Sequence, residues 1–118
     1  MRHVSVVGST SVLVRVMALL VLALAANPPS RAAAQSRFFT FERNIDRPGL
    51  DFRNVPSPGA SDCSFTCQLE NQCRAWTFVR PGVQGPSGRC FLKRAVPVAS
   101  RNRCCTSGIR KGAPVIID

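Results

Sequence analysis

The residues of this 118-residue chain with the clearest chemical potential are its six cysteines, Cys63, Cys67, Cys73, Cys90, Cys104 and Cys105. Thiols can bind metal, attack a substrate or bridge to one another. A thiolate metal site is disfavoured, because no two cysteines have the C-x-x-C spacing and the single histidine, His3, lies at the extreme N-terminus. Nucleophilic catalysis by serine or cysteine needs a nearby base. The carboxylates and lysine available for that role, Glu42, Asp46, Asp51, Asp62, Glu70 and Lys93, are scattered, and Asp62 is better used as an early-helix charge that favours the helix dipole. A paired-carboxylate glycosidase would need a cleft deeper than a domain this small offers. Disulfides are the first reading of the cysteines, with no catalytic residue, no metal and no cofactor expected.

The leading residues agree with that reading. Arg2 and Arg15 precede an eleven-residue apolar run, Val16 to Ala26, and RAAAQ offers a small-residue cleavage motif at Ala32 and Ala34, before Gln35. Residues 1–34 are therefore expected to be a signal peptide. The run is too short for a bilayer, which needs about 20 residues, so no transmembrane segment is expected after cleavage. The predicted product is secreted or periplasmic, where disulfides persist. Residues 35–118 are expected to form a single domain. At that size burial barely exceeds the entropy lost on ordering, and staples are usually required.

Charge gives the second line of inference. After removal of the leader, 13 basic residues face all 6 acidic ones, for a net charge of +7. Such a surface attracts polyanions, with an attraction that fades as salt rises. Arginine outnumbers lysine 14 to 2 in the whole chain, which suits bidentate recognition of carboxylate, sulfate or phosphate. Basic residues that only keep the protein soluble are the competing explanation, since no run of five occurs. Specific nucleic-acid binding is not expected of an exported protein.

The elements that must position these groups follow from periodicity. RFFTFERN (37–44) alternates as a strand, DRPG is a turn, and LDFRNV reads as a second strand. Ser57 before Pro58 is a candidate N-cap for a helix over residues 60–71, on which Cys63 and Cys67, four apart, share a face. AWTFV has apolar groups on both sides, Ala75, Thr77 and Val79 against Trp76 and Phe78, as a central strand does. Trp76, inside that run, is assigned to the core rather than to a sugar platform. PGVQGPS forms a loop, GRCFLKR returns as the partner strand, and CCTSGIRKG supplies one more, with Gly108 marking a bulge or a close approach. The fold class expected is α+β: one helix packed on a small antiparallel β-sheet and braced by disulfides.

The order Cys63, Cys67, Cys73, AWTFV, Cys90-Phe-Leu-Lys93 and Ser107-Gly108-Ile109-Arg110 resembles the PAN/apple domain family. The resemblance is to its single-domain bacterial form and covers roughly residues 38–112. It implies a non-enzymatic module that binds protein or carbohydrate. It also implies bridges from Cys63 to Cys90 and from Cys67 to Cys73, cysteines 27 and 6 positions apart. Closing such loops is worth about 3.6 and about 2.4 kcal/mol in the chain-entropy picture. Cys104 and Cys105 remain. Neighbouring Cα atoms are about 3.8 Å apart, below the usual disulfide range, so a vicinal bridge between them would be strained and reducible. Two free thiols or a link to another chain are the alternatives.

The functional expectation is an exported binding module for a protein or carbohydrate ligand, with an acidic glycan or envelope component favoured by the charge. Arg74, Arg80, Arg89 and Lys93, at the ends of the AWTFV hairpin, are the expected ligand-binding residues. The competing class is a small cationic effector or inhibitor acting at anionic membranes.

Overall fold

The computed structural model describes residues 37–117, so the expected leader at 1–34 lies outside the described residues. Five strands and one helix follow in order: β1 (Glu42–Asp46), β2 (Asp51–Pro56), α1 (Ala60–Leu69), β3 (Ala75–Val79), β4 (Arg89–Lys93) and β5 (Ser100–Ile109). The strands form one sheet in the order β1-β5-β3-β4-β2, and every neighbouring pair is antiparallel. The α+β class is thus the observed one, a helix on one face of an antiparallel sheet with cysteine pairs at disulfide distance.

β3 is the central strand, and all five of its residues are buried. Its alternation splits the interior. Trp76 and Phe78 join Phe39, Leu92 and the four cysteines Cys63, Cys67, Cys73 and Cys90 in the core beneath the helix. Thr77 faces the other way, where Ser107 meets it from β5; the two hydroxyl oxygens lie 2.7 Å apart, and Ser107 donates to the Ile45 carbonyl at 2.8 Å. The turn between β1 and β2 covers this second face, helped by Gly49 at φ 91°, a left-handed angle that glycine adopts without steric cost.

The helix has little apolar surface with which to hold the sheet. Its buried residues are Cys63, Ser64 and Cys67, and Leu69 is exposed. Sulfur does what leucine would do in a larger domain. Cys63 meets Cys90 of β4 with Cα atoms 5.2 Å apart, and Cys67 meets Cys73 just before β3 at 5.3 Å, both inside the range that bridging requires. Arg110, after β5, secures the C-terminal end. Its guanidinium donates to the carbonyls of Cys73 and Cys67, 2.9 and 3.2 Å away, and lies 4.9 Å from the Phe39 ring centre. The last turn of α1 has no basic residue of its own, so Arg110 supplies the cation that the negative end of the helix dipole favours. Burial, and then the charge of Arg74, hold its pKa below the ordinary arginine value.

Three local expectations need correction. The first strand begins at Glu42 rather than Arg37, because Phe39 instead enters the core and makes only an isolated bridge to Arg110. The helix ends at Leu69 rather than Asn71, with Glu70 in extended backbone. Its N-cap is Gly59, while the Ser57 hydroxyl donates to the Gly59 carbonyl instead of capping a helical N–H. The last strand is twice as long as β3 and lies inside the sheet, between β1 and β3. Gly108 is where it passes closest to its surroundings. A Cβ there would meet the Thr40 carbonyl oxygen and come within 2.5 Å of the Trp76 ring, so close approach is the reason for glycine at this position.

Candidate functional site

The four residues expected to bind ligand are not gathered into one surface. Arg74 and Arg80 flank the two ends of β3, which puts their backbones roughly 20 Å apart at about 3.3 Å per residue. Arg74 donates to the Asn71 carbonyl and Arg89 to the side chain of Asn54. Lys93 is the clearest departure: it is 2 % exposed, and its ammonium lies 2.5 Å from Asp51 Oδ1 and 3.2 Å from the Gly49 carbonyl. Asp51 and Lys93 are cross-strand partners in β2 and β4. A lysine at the end of an alternating strand reads as solvated, but the β1–β2 turn folds over it. Its charge is paired within that turn.

A different arginine group comes together at the far end of the sheet. Pairing of β1 with β5 brings Arg43, Arg101 and Arg103 around a groove of about 630 Å³, whose remaining walls are Asn44, Ile45 and Asn102. Arg101 and Arg103 are exposed, as is Arg43. The ion pairs among the described residues use other cations: Arg47 with Glu42, Arg53 with Glu70 and Lys93 with Asp51. Among the described residues, these pairs involve none of the three groove arginines. Of the four residues expected from the sequence, Arg80 bonds β5 beside the bulge, its backbone N–H donating to the Cys104 carbonyl at 3.0 Å. No local signal could have revealed the groove, because β1 and β5 are far apart in the chain.

The groove owes its shape to a break in the β1–β5 ladder. Arg43 pairs with Thr106 and Ile45 with Arg101, so Asn44 alone stands opposite the four residues 102–105. Asn44 takes φ 58°, a left-handed conformation that asparagine tolerates better than most side chains. Bulges of this kind re-aim side chains. Arg101, at the end of the bulge, and Arg103, within it, line the groove, and Cys104 and Cys105 lie in the same bulge, with Cα atoms 3.7 Å apart. The Cys104 N–H is satisfied by the Asn102 side-chain oxygen at 3.0 Å.

Beside the bulge, on the sheet face turned away from the helix, lies a second cavity of about 250 Å³. Val79 and Phe91 give it apolar walls, Lys93 and Asp51 line one part, and Asp46, Cys104 and Cys105 line another. Trp76 is remote from it, fully buried in the helix-side core with the Phe41 ring edge-on at 5.2 Å.

Residues 45–93, from the end of β1 through β4, match the family model of the PAN domain. The match supports a PAN/apple domain over this part of the chain. PAN domains are protein- and carbohydrate-binding modules, typically without catalytic activity. The PAN match contains the helix, the four framework cysteines and Lys93, and it ends before β5. Arg43, Arg101, Arg103, Cys104 and Cys105 all lie outside it. No curated protein and no solved structure matches the chain.

Proposed function

We propose that this protein is an exported, non-enzymatic binding module whose ligand is a polyanionic protein or carbohydrate, of the class of an acidic glycan or an anionic envelope component. The observation that carries the reading is the groove at the β1–β5 end, where Arg43, Arg101 and Arg103 converge and, among the described residues, no ion pair involves them. Planar guanidinium groups suit sulfate and carboxylate, to which they donate in pairs. The net charge of +7 on residues 35–118 adds long-range attraction, so association should weaken as salt rises.

Retention on immobilised heparin tests the site. Removing three charges at the groove, Arg43→Gln, Arg101→Gln and Arg103→Gln, should lower the eluting salt concentration much more than removing three charges elsewhere, Arg74→Gln, Arg89→Gln and Lys111→Gln. Equal shifts would show that only net charge matters and would refute the site. Leakage from anionic vesicles separates this function from a membrane-acting effector. A binding module leaves the vesicles intact.

A further inference from the structure

Two sulfurs in the β5 bulge have no part in holding the helix. Sγ of Cys104, Sγ of Cys105 and a carboxylate oxygen of Asp46 all lie within 4.8 Å of one another. In a regular strand, adjacent side chains point to opposite faces. The one-against-four bulge suspends that alternation, so both sulfurs turn toward the same carboxylate. All three residues line the 250 Å³ cavity, which gives solutes a path to them. The framework sulfurs differ in access: Cys63, Cys67, Cys73 and Cys90 are each 0 % exposed, whereas Cys104 is half-buried and Cys105 is 5 % exposed.

We propose that Cys104 and Cys105 form a reducible bridge, and that once it is opened their two sulfurs and the Asp46 carboxylate are the donors of a site for a thiophilic divalent cation of the Zn²⁺ class. Opening needs a thiol reductant. The attacking thiolate forms a bond to the Cys104 sulfur and the Cys105 sulfur leaves, taking a proton; a second thiol then displaces the Cys104 sulfur, which takes a proton as well. Two electrons and two protons pass to the pair, and the reductant leaves as its own disulfide. Cation binding then releases up to two protons, since the thiolate is the ligand.

Bridge and cation exclude one another on geometry. With metal–sulfur bonds of about 2.3 Å and metal–oxygen bonds of about 2.0–2.2 Å, tetrahedral donors stand about 3.5–3.8 Å apart. Bonded sulfurs at about 2.05 Å are too close to occupy two such positions, and opening the bridge lets them separate toward the required spacing. Three protein donors leave a fourth position for water or an exogenous ligand, the arrangement of an exchangeable site rather than a structural one. Adjacency at 3.7 Å between Cα atoms, below the usual bridging range, favours opening of this pair over the framework pairs.

The test uses the oxidised protein and the same protein after mild thiol treatment, with differential alkylation to map which cysteines have opened. Zn²⁺ stoichiometry is read by native mass spectrometry, and Cd²⁺ binding by its thiolate charge-transfer absorption. Expected are alkylation of Cys104 and Cys105 ahead of the other four cysteines, and no bound ion in the oxidised form. One ion per chain should bind the reduced form, and none should bind Cys104→Ser/Cys105→Ser. Asp46→Asn should weaken Zn²⁺ at least about tenfold, the lower bound seen for loss of even outer-sphere partners. The proposal is overturned if the reduced protein takes up no ion, if Asp46→Asn binds as tightly as the parent, or if the framework pairs open first.

Discussion

The two faces of the sheet use the same residue type for opposite ends. Under the helix, four cysteines are sealed from solvent and joined at ordinary bridging distances, around a core that includes Trp76, Phe78 and Leu92. On the far side, two cysteines stand in a bulge beside a cavity, next to a groove lined by three arginines and, among the described residues, by no acid. The fully buried residues of the helix are Cys63, Ser64 and Cys67, so the framework bridges are its main tie to the sheet. The last two close a loop too short to restrain the unfolded chain much. Position in the fold, rather than cysteine chemistry, decides which sulfurs are framework and which are available.

Substitutions on each side test that division. The largest loss should come from Cys63→Ser/Cys90→Ser, about 3.6 kcal/mol by loop entropy, read as a drop in the urea midpoint. A loss below about 1 kcal/mol would mean the helix has another anchor. Lys93→Met should rank next, at about 1–3 kcal/mol, because it removes the donor to the Gly49 carbonyl and the partner of Asp51. The lower end is favoured, since Asp51 is 36 % exposed and water can take the lysine's place. Cys104→Ser/Cys105→Ser should cost at most about 1.2 kcal/mol, the entropy of the smallest loop, and less once the relief of strain is counted. Were this pair to match Cys63–Cys90 in stability, the contrast between the faces would fail. The groove variants Arg43→Gln, Arg101→Gln and Arg103→Gln should each stay within about 0.5 kcal/mol of the parent in thermal unfolding while heparin retention falls.

How much of this was legible in the sequence divides along the same line. The helix side depends on local spacing: cysteines four apart share a helical face, and AWTFV carries apolar groups on both sides of a strand. Both patterns survive folding unchanged. The far side depends on register between distant segments. Asp51 stands opposite Lys93, Arg43 opposite Thr106, and Asp46 near Cys104, and no periodicity within either segment encodes those pairs. Hence Lys93 reads as a surface cation from its own strand but is buried by the turn that reaches over it, while the arginine groove is invisible until β5 enters the sheet beside β1. Phe39 shows the same override at smaller scale, its alternation with Phe41 suggesting a strand where Arg110 and the core instead take its ring.

A single reductant titration tests the division between the faces most directly. Trp76, the only tryptophan, is fully buried against the framework, so its near-ultraviolet circular dichroism reports the helix-side core. Differential alkylation in the same samples reports which sulfurs have opened. Cys104 and Cys105 should become fully alkylated while the Trp76 signal keeps its native amplitude, and that signal should collapse only when Cys63 and Cys90 open. Loss of the Trp76 signal in step with Cys104 and Cys105 would contradict the account, as would opening of Cys63 and Cys90 before them.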